Sequence, residues 1–220
     1  MKGWFRRNGL SAVVLCIFLV LLIGQVGAGW QSYNQERREQ GAPALSLGGY
    51  LVSGHFAEAT SENWESEFLQ MAAYVLLTVF LRQKGSAESK SLTEEEDVDR
   101  DPRQDRDKPG VPYPVRQGGW LLRLYEYSLT LAFFVLFLLA FAWHLVGGHI
   151  LENEERALKG LSPLTLGEFV SSSAFWFQSL QNWQSEFLAV AAIVVLSIWL
   201  RQRGSPESKP VSAPHQQTGN

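Results

Sequence analysis

The chain has 220 residues, 46% of them apolar and 19% charged, with a formal net charge of −3. That balance excludes a charge-rich disordered polymer, and no basic stripe with interleaved aromatics argues for a nucleic-acid partner. One cysteine, Cys16, excludes a disulfide framework within the chain and a cysteine-based metal site. The apolar residues stand in blocks rather than in periodic stripes.

The first block runs over residues 10–29, where Gln25 is the one strongly polar side chain past Ser11. A helix of that length crosses ~30 Å of hydrocarbon. Lys2, Arg6 and Arg7 before it and Val26-Gly27-Ala28 near its end also match a secretory signal with a small-residue cleavage site. The run is longer than a usual signal core and holds the same place in a repeat as an internal run, so it is read as a retained anchor. An outer loop is expected over 30–62, and a second span over 63–82. Phe68–Leu81 alone is short for a span; begun at Asn63 and carried to Arg82, the helix reaches roughly 30 Å at 1.5 Å per residue. Asn63 is then expected as the N-cap and Trp64 as an interfacial ring. Glu65 and Glu67 would lie against the positive end of the helix dipole, worth ~0.3–1 kcal/mol each.

Residues 86–118 mix Glu94-Glu95-Glu96-Asp97 with alternating Arg and Asp, four prolines and few large apolar side chains, a composition expected to give a disordered connector. A second unit over 119–204 predicts a span at 124–147, an outer loop at 148–181 and a span at 182–201, with 205–220 as a disordered tail. Within the second loop, Thr165 and Glu168 spell a capping box ahead of Phe169, Phe175, Trp176, Phe177 and Leu180. Ser46, Tyr50, Leu51 and Phe56 stand in the equivalent stretch of the first. Each loop is therefore expected to carry a short amphipathic helix at the membrane surface.

The two units are copies at an offset of 119 residues, and residues 63–90 share 18 of 28 positions with 182–209 without a gap. Fifteen of the 19 Lys and Arg residues fall before the first span, in residues 82–123 or from Arg201 onward, which predicts that both termini and the connector are cytoplasmic. Each unit has an even number of crossings, so the halves are parallel repeats. Seven of the eight Trp residues fall at expected span ends; Trp176 is the exception.

Functional candidates are few. Glu67 and Glu186 keep their identity in both repeats, whereas Glu65 becomes Gln184, so the pair Glu67 and Glu186 is the candidate for binding a cation or polar solute. Against this stands the structural account of the motif Asn63, Trp64, Asn182 and Trp183 as cap and interface. His55, Glu58 and Glu62 share a helical face in the first loop, with His144 and His149 as asymmetric additions, but their repeat counterparts Ala174, Phe177 and Gln181 carry no ligand chemistry. Glu126 beside Arg123 reads as a snorkelling edge charge, and the central turns hold no ionisable residue, which weighs against a pump. Ala72, Ala73, Ala191, Ala192, Gly24 and Gly27 read as packing positions. No catalytic set, cofactor site or metal site is expected.

The words "SGHF" and "NWESEFLQMAAYVLLTVFLRQKGSAESK", with their second-half echoes, resemble an uncharacterised bacterial inner-membrane family catalogued as a domain of unknown function. The resemblance implies a bacterial plasma-membrane location and brings no activity or site residues. The expectation is an all-α integral membrane protein of four helices in two parallel repeats. It would be a non-enzymatic component whose partners are the lipid bilayer and another copy or membrane protein; the alternative is a passive channel or small-solute transporter with an acidic outer vestibule.

Overall fold

A computed structural model describes residues 2–219 and is all-helical, with no strand among them. The chain divides into two compact units, Met1–Ser61 with Ala142–Phe175 and Glu62–Phe141 with Trp176–Asn220. Two helices, α1 (Lys2–Glu39) and α6 (Ser128–Leu158), contain windows of mean hydropathy 2.6 and 2.4 and are long and apolar enough to cross a membrane.

In the first unit, α1 continues ten residues past the apolar block because its last turns are strong helix formers. Gln35 donates to Glu39 one turn on (3.0 Å), and Arg37 and Arg38 sit favourably at the carbonyl end. The helix stops at Gly41, whose φ of +76° suits a residue without a Cβ, and Ala42 N–H reaches back to the Arg37 carbonyl (2.7 Å). α6 stops the same way at Gly160, with Leu161 N–H on Arg156.

Each turn is then fastened by the same residues in both repeats. The Asn34 amide accepts from Leu45 N–H (2.6 Å) and donates to the Leu45 carbonyl (3.0 Å); Asn153 does the same with Leu164 (2.7 and 3.0 Å). Arg37 donates to the Pro43 carbonyl and Arg156 to that of Ser162. Short helices follow, α2 (Leu47–Leu51) capped by Ser46 and α7 (Leu166–Val170) capped by Thr165. The capping box of Thr165 and Glu168 forms as its spelling predicts. Glycine in the long helix seats the ring of each short one: a Cβ at Gly29 would overlap the Tyr50 hydroxyl, and one at Gly148 would lie 2.9 Å from the Phe169 ring.

The long helices α3 (Gly54–Phe80) and α8 (Ser173–Leu196) begin nine residues before the expected starts at Asn63 and Asn182. Their cap acceptors are Ser53 and Ser172, whose hydroxyls accept from the N–H groups of Phe56 and Phe175 (3.3 Å each). This corrects the reading of Asn63 and Asn182 as N-caps. Both lie inside a helix; Asn182 donates to the Gln178 carbonyl one turn back, and the dipole argument for Glu65 and Glu67 no longer applies. At its start α3 crosses α6 with backbones almost touching: a Cβ at Gly54 would lie 2.6 Å from Leu151 N, and one at Gly147 2.6 Å from the Ala57 Cβ.

The second unit adds α4 (Tyr113–Gln117) and α5 (Gly119–Glu126), the latter parted from α6 at Tyr127. The third expected span therefore begins at Ser128 as a continuous helix, not at 124. Beyond α3 and α8 the repeats share a second turn. Gly85 and Gly204 take φ values of +85° and +84°, the Ser89 and Ser208 hydroxyls accept from Gln83 and Gln202 N–H, and Arg82 and Arg201 cap the carbonyls of the preceding turn. The connector read as disordered holds short helical turns at Asp97–Asp99 and Pro102–Asp105 among largely exposed side chains.

Candidate functional site

The polar residues of α3 fall into a buried set and an exposed set. In the second unit Glu65 is 0% exposed, Ser66 and Gln70 are buried, and Glu67 points outward. Glu65 takes a hydrogen bond from the Trp183 indole of α8 (3.0 Å). That ring is held by two neighbours, edge-on to Phe137 of α6 (6.1 Å between centroids) and to Trp176 (6.3 Å, 89°), and Trp176 in turn packs on Phe141. Trp176, the indole that fits no expected span end, thus packs against the ring that donates to the carboxylate.

This arrangement reorders the candidates read from sequence. Glu67 is exposed and Glu186 half-buried, with the two within electrostatic reach of one another. The carboxylate removed from solvent is Glu65. Its repeat counterpart Gln184 is exposed and carries no carboxylate, so this Trp-to-carboxylate bond breaks the repeat symmetry. Trp183, read as an interfacial anchor, is a hydrogen-bond donor, while Trp64 is half-buried. A carboxylate taken out of solvent costs free energy unless polar groups meet it, and the Trp183 indole N–H is one such group.

A second cluster lies in the first unit. Tyr33 donates to Glu154 (2.7 Å), stacks on His55 (4.5 Å between ring centroids) and carries the Arg37 guanidinium over its face. The Tyr50 hydroxyl is 3.3 Å from His55 Nδ1. Burial and the bond to Glu154 push the Tyr33 pKa up to about 12, against the opposing pull of Arg37. Burial also lowers that of His55, and Glu36 and Glu155 act the other way.

The histidines considered as metal ligands have other uses. His149 Nε2 meets the Leu164 carbonyl at 2.8 Å, the role that its counterpart Trp30 fills on Leu45 (2.8 Å). His144 is fully buried, with its ring 5.0 Å from that of Phe175. Among the described residues no three His, Cys, Asp or Glu side chains gather as a metal-binding group. Only the E-to-Q divergence inside an otherwise retained motif hinted at Glu65.

Compared with known proteins, residues 1–220 match a family model described as "Domain of unknown function (DUF6766)". No curated protein and no solved structure matches.

Proposed function

The chain belongs to that family of unknown function throughout its length, and we propose that it is a multi-pass component of the bacterial plasma membrane that acts through helix packing and protein contacts rather than through catalysis. One observation carries this reading. The most apolar windows of α1 and α6 are 0% and 11% buried, whereas the core helix of a soluble protein buries its apolar surface. Leu10, Val20 and Ile23 of α1 and Leu139 of α6 all face outward, and at ~25 cal/mol per Å² such a surface demands hydrocarbon rather than water.

α3 and α8, 27 and 24 residues long, supply two further crossings in this reading. The early polar residues lower the hydropathy of both, but in α3 Glu65 and Ser66 turn inward rather than toward lipid. The charge distribution supports cytoplasmic termini and connector. Alkaline carbonate washing of membranes tests the core of the proposal: the protein stays in the pellet, and release into the supernatant would refute it.

Buried Glu65 favours a second reading, binding or passive passage of a small cation at Glu65 beside Trp183. This moves the acidic site from Glu67 and Glu186 to one carboxylate. Cation flux into proteoliposomes, lost in Glu65→Gln and kept in a Glu67→Gln/Glu186→Gln variant, supports it; no flux above empty liposomes removes it.

A further inference from the structure

In the second unit the segment after α8 turns back and is fastened to the Gly85 turn, above all through Lys209. Lys209 is 1% exposed. Its ammonium lies in a socket of backbone carbonyls, those of Gly85 (2.5 Å), Gln217 (2.8 Å) and His215 (3.1 Å), with Pro214 and Ile198 at 3.4 and 3.5 Å. Three N–H donors thus meet three close acceptors, and the carbonyl dipoles offset the cost of burying the charge.

The fastening continues on both sides of the socket. Thr218 Oγ1 accepts from Gly85 N–H (2.9 Å), Gly219 N–H donates to the Ser86 carbonyl (2.9 Å), and Ser197 Oγ accepts from Ala87 N–H (3.2 Å). A segment whose composition reads as a free tail is therefore hydrogen-bonded, at Lys209, Thr218 and Gly219, to the turn that ends the first repeat.

The repeat supplies an internal control. The same spelling, Gly-Ser-x-Glu-Ser-Lys, ends both copies, but Lys90 pairs with Asp99 whereas Lys209 enters the socket. Gly85 and Gly204 share a left-handed backbone, yet their surroundings differ. A Cβ on Gly85 would lie 2.7 Å from the His215 carbonyl, while one on Gly204 meets nothing within 4 Å. The turn alone calls for glycine at both; the docked segment adds a demand at Gly85 only.

Docking also builds a wall. Gln216–Gly219 line one side of a cavity of about 1440 Å³ whose other walls are Tyr74, Val75, Thr78 and Val79 of α3 and the connector from Ala87 to Asp99. We propose that residues 205–219 form a releasable strap, held by Lys209 on the Gly85 turn, whose docking closes that side of the cavity and whose release opens it. Lys209 is the natural fastening because one side chain holds carbonyls from Gly85 and from the strap at once.

Amine-reactive labelling of the purified full-length protein, followed residue by residue by mass spectrometry, tests this. Lys209 is expected to label at least about ten-fold more slowly than exposed Lys84 and Lys108, since it reacts only from the released state. Gly85→Ala raises the Lys209 rate toward theirs, and by clearly more than Gly204→Ala, which strains the other turn at a position where a Cβ meets nothing within 4 Å. Thr218→Val, which removes one strap bond without straining the backbone, raises the rate by a smaller factor. A cysteine at Ala87 in a Cys16→Ser background reacts faster with maleimide when combined with Thr218→Val. Wild-type Lys209 labelling as fast as Lys84, or equal effects of the two glycine substitutions, would overturn the strap, as would Ala87→Cys reactivity indifferent to Thr218→Val.

Discussion

Glu65 takes a hydrogen bond from a donor on another helix, so the energetics of that bond are testable as a pair. Replacing Trp183 by Phe keeps the edge contact with Phe137 but leaves the carboxylate without the indole N–H. The expected loss is about 1–3 kcal/mol, the cost of a buried polar group deprived of a partner. In a Glu65→Leu background the same substitution costs much less, because neither partner remains to be satisfied. Thermal unfolding in detergent measures both, and equal losses in the two backgrounds would show that the bond contributes nothing. Sequence points to Glu67 and Glu186 because identity between repeats is visible in it. Burial is not, since it depends on which helix supplies the Trp, and the one carboxylate that burial selects is the one that diverged.

His55 behaves as a pH-dependent brace in the first unit. Burial among Tyr33 and Tyr50 holds its pKa below the ordinary histidine value, with Glu36 and Glu155 opposing. The neutral ring therefore contributes stability in full above about pH 6.5, and that contribution is lost as pH falls from there through the depressed folded pKa. The melting temperature of wild type should drop further between pH 7.5 and 5.5 than that of His55→Phe, which keeps a stacked ring and does not titrate. A parallel decline in both would assign the pH dependence elsewhere.

At the scale of elements, the repeats reuse local devices whose spelling is partly readable. The Thr165 and Glu168 box carries its chemistry within a few residues and forms as its spelling predicts, and the glycine stops at Gly41 and Gly160 are equally local devices. The starts of α3 and α8 were not readable in the same way. Residues 54–62 and 173–181 look like loop because they are polar or mixed, but Ser53 and Ser172 cap them into the following helix. Replacing either serine by Ala should cost about 1 kcal/mol, with Asn63→Ala and Asn182→Ala costing less, the reverse of what N-capping by the asparagines would require. Ring seating by glycine gives a sharper case. Gly29→Ala drives a methyl into the Tyr50 hydroxyl and should destabilise the first unit. Tyr50→Phe removes the overlapping atom and should restore most of the loss; absence of rescue would mean that the α1–α2 contact is not what holds that glycine.

At the scale of the whole molecule, the duplication and the charge asymmetry were legible from residue type alone, because identity at a fixed offset and Lys/Arg placement need no contacts. The number of crossings is different. α1 and α6 meet the requirement of length and apolarity by themselves, whereas α3 and α8 become spanning helices only if their polar residues face protein, and the inward turn of Glu65, Ser66 and Gln70 supports that for α3. Two and four crossings place the loops differently. Single cysteines at Gln40, Gln104 and Lys159 in a Cys16→Ser background, probed with a membrane-impermeant maleimide on intact and permeabilised cells, separate them. Four crossings predict labelling of positions 40 and 159 in intact cells and of 104 only after permeabilisation. Labelling of 104 together with 40, and of 159 on the opposite side, is the pattern of two crossings and would contradict the account.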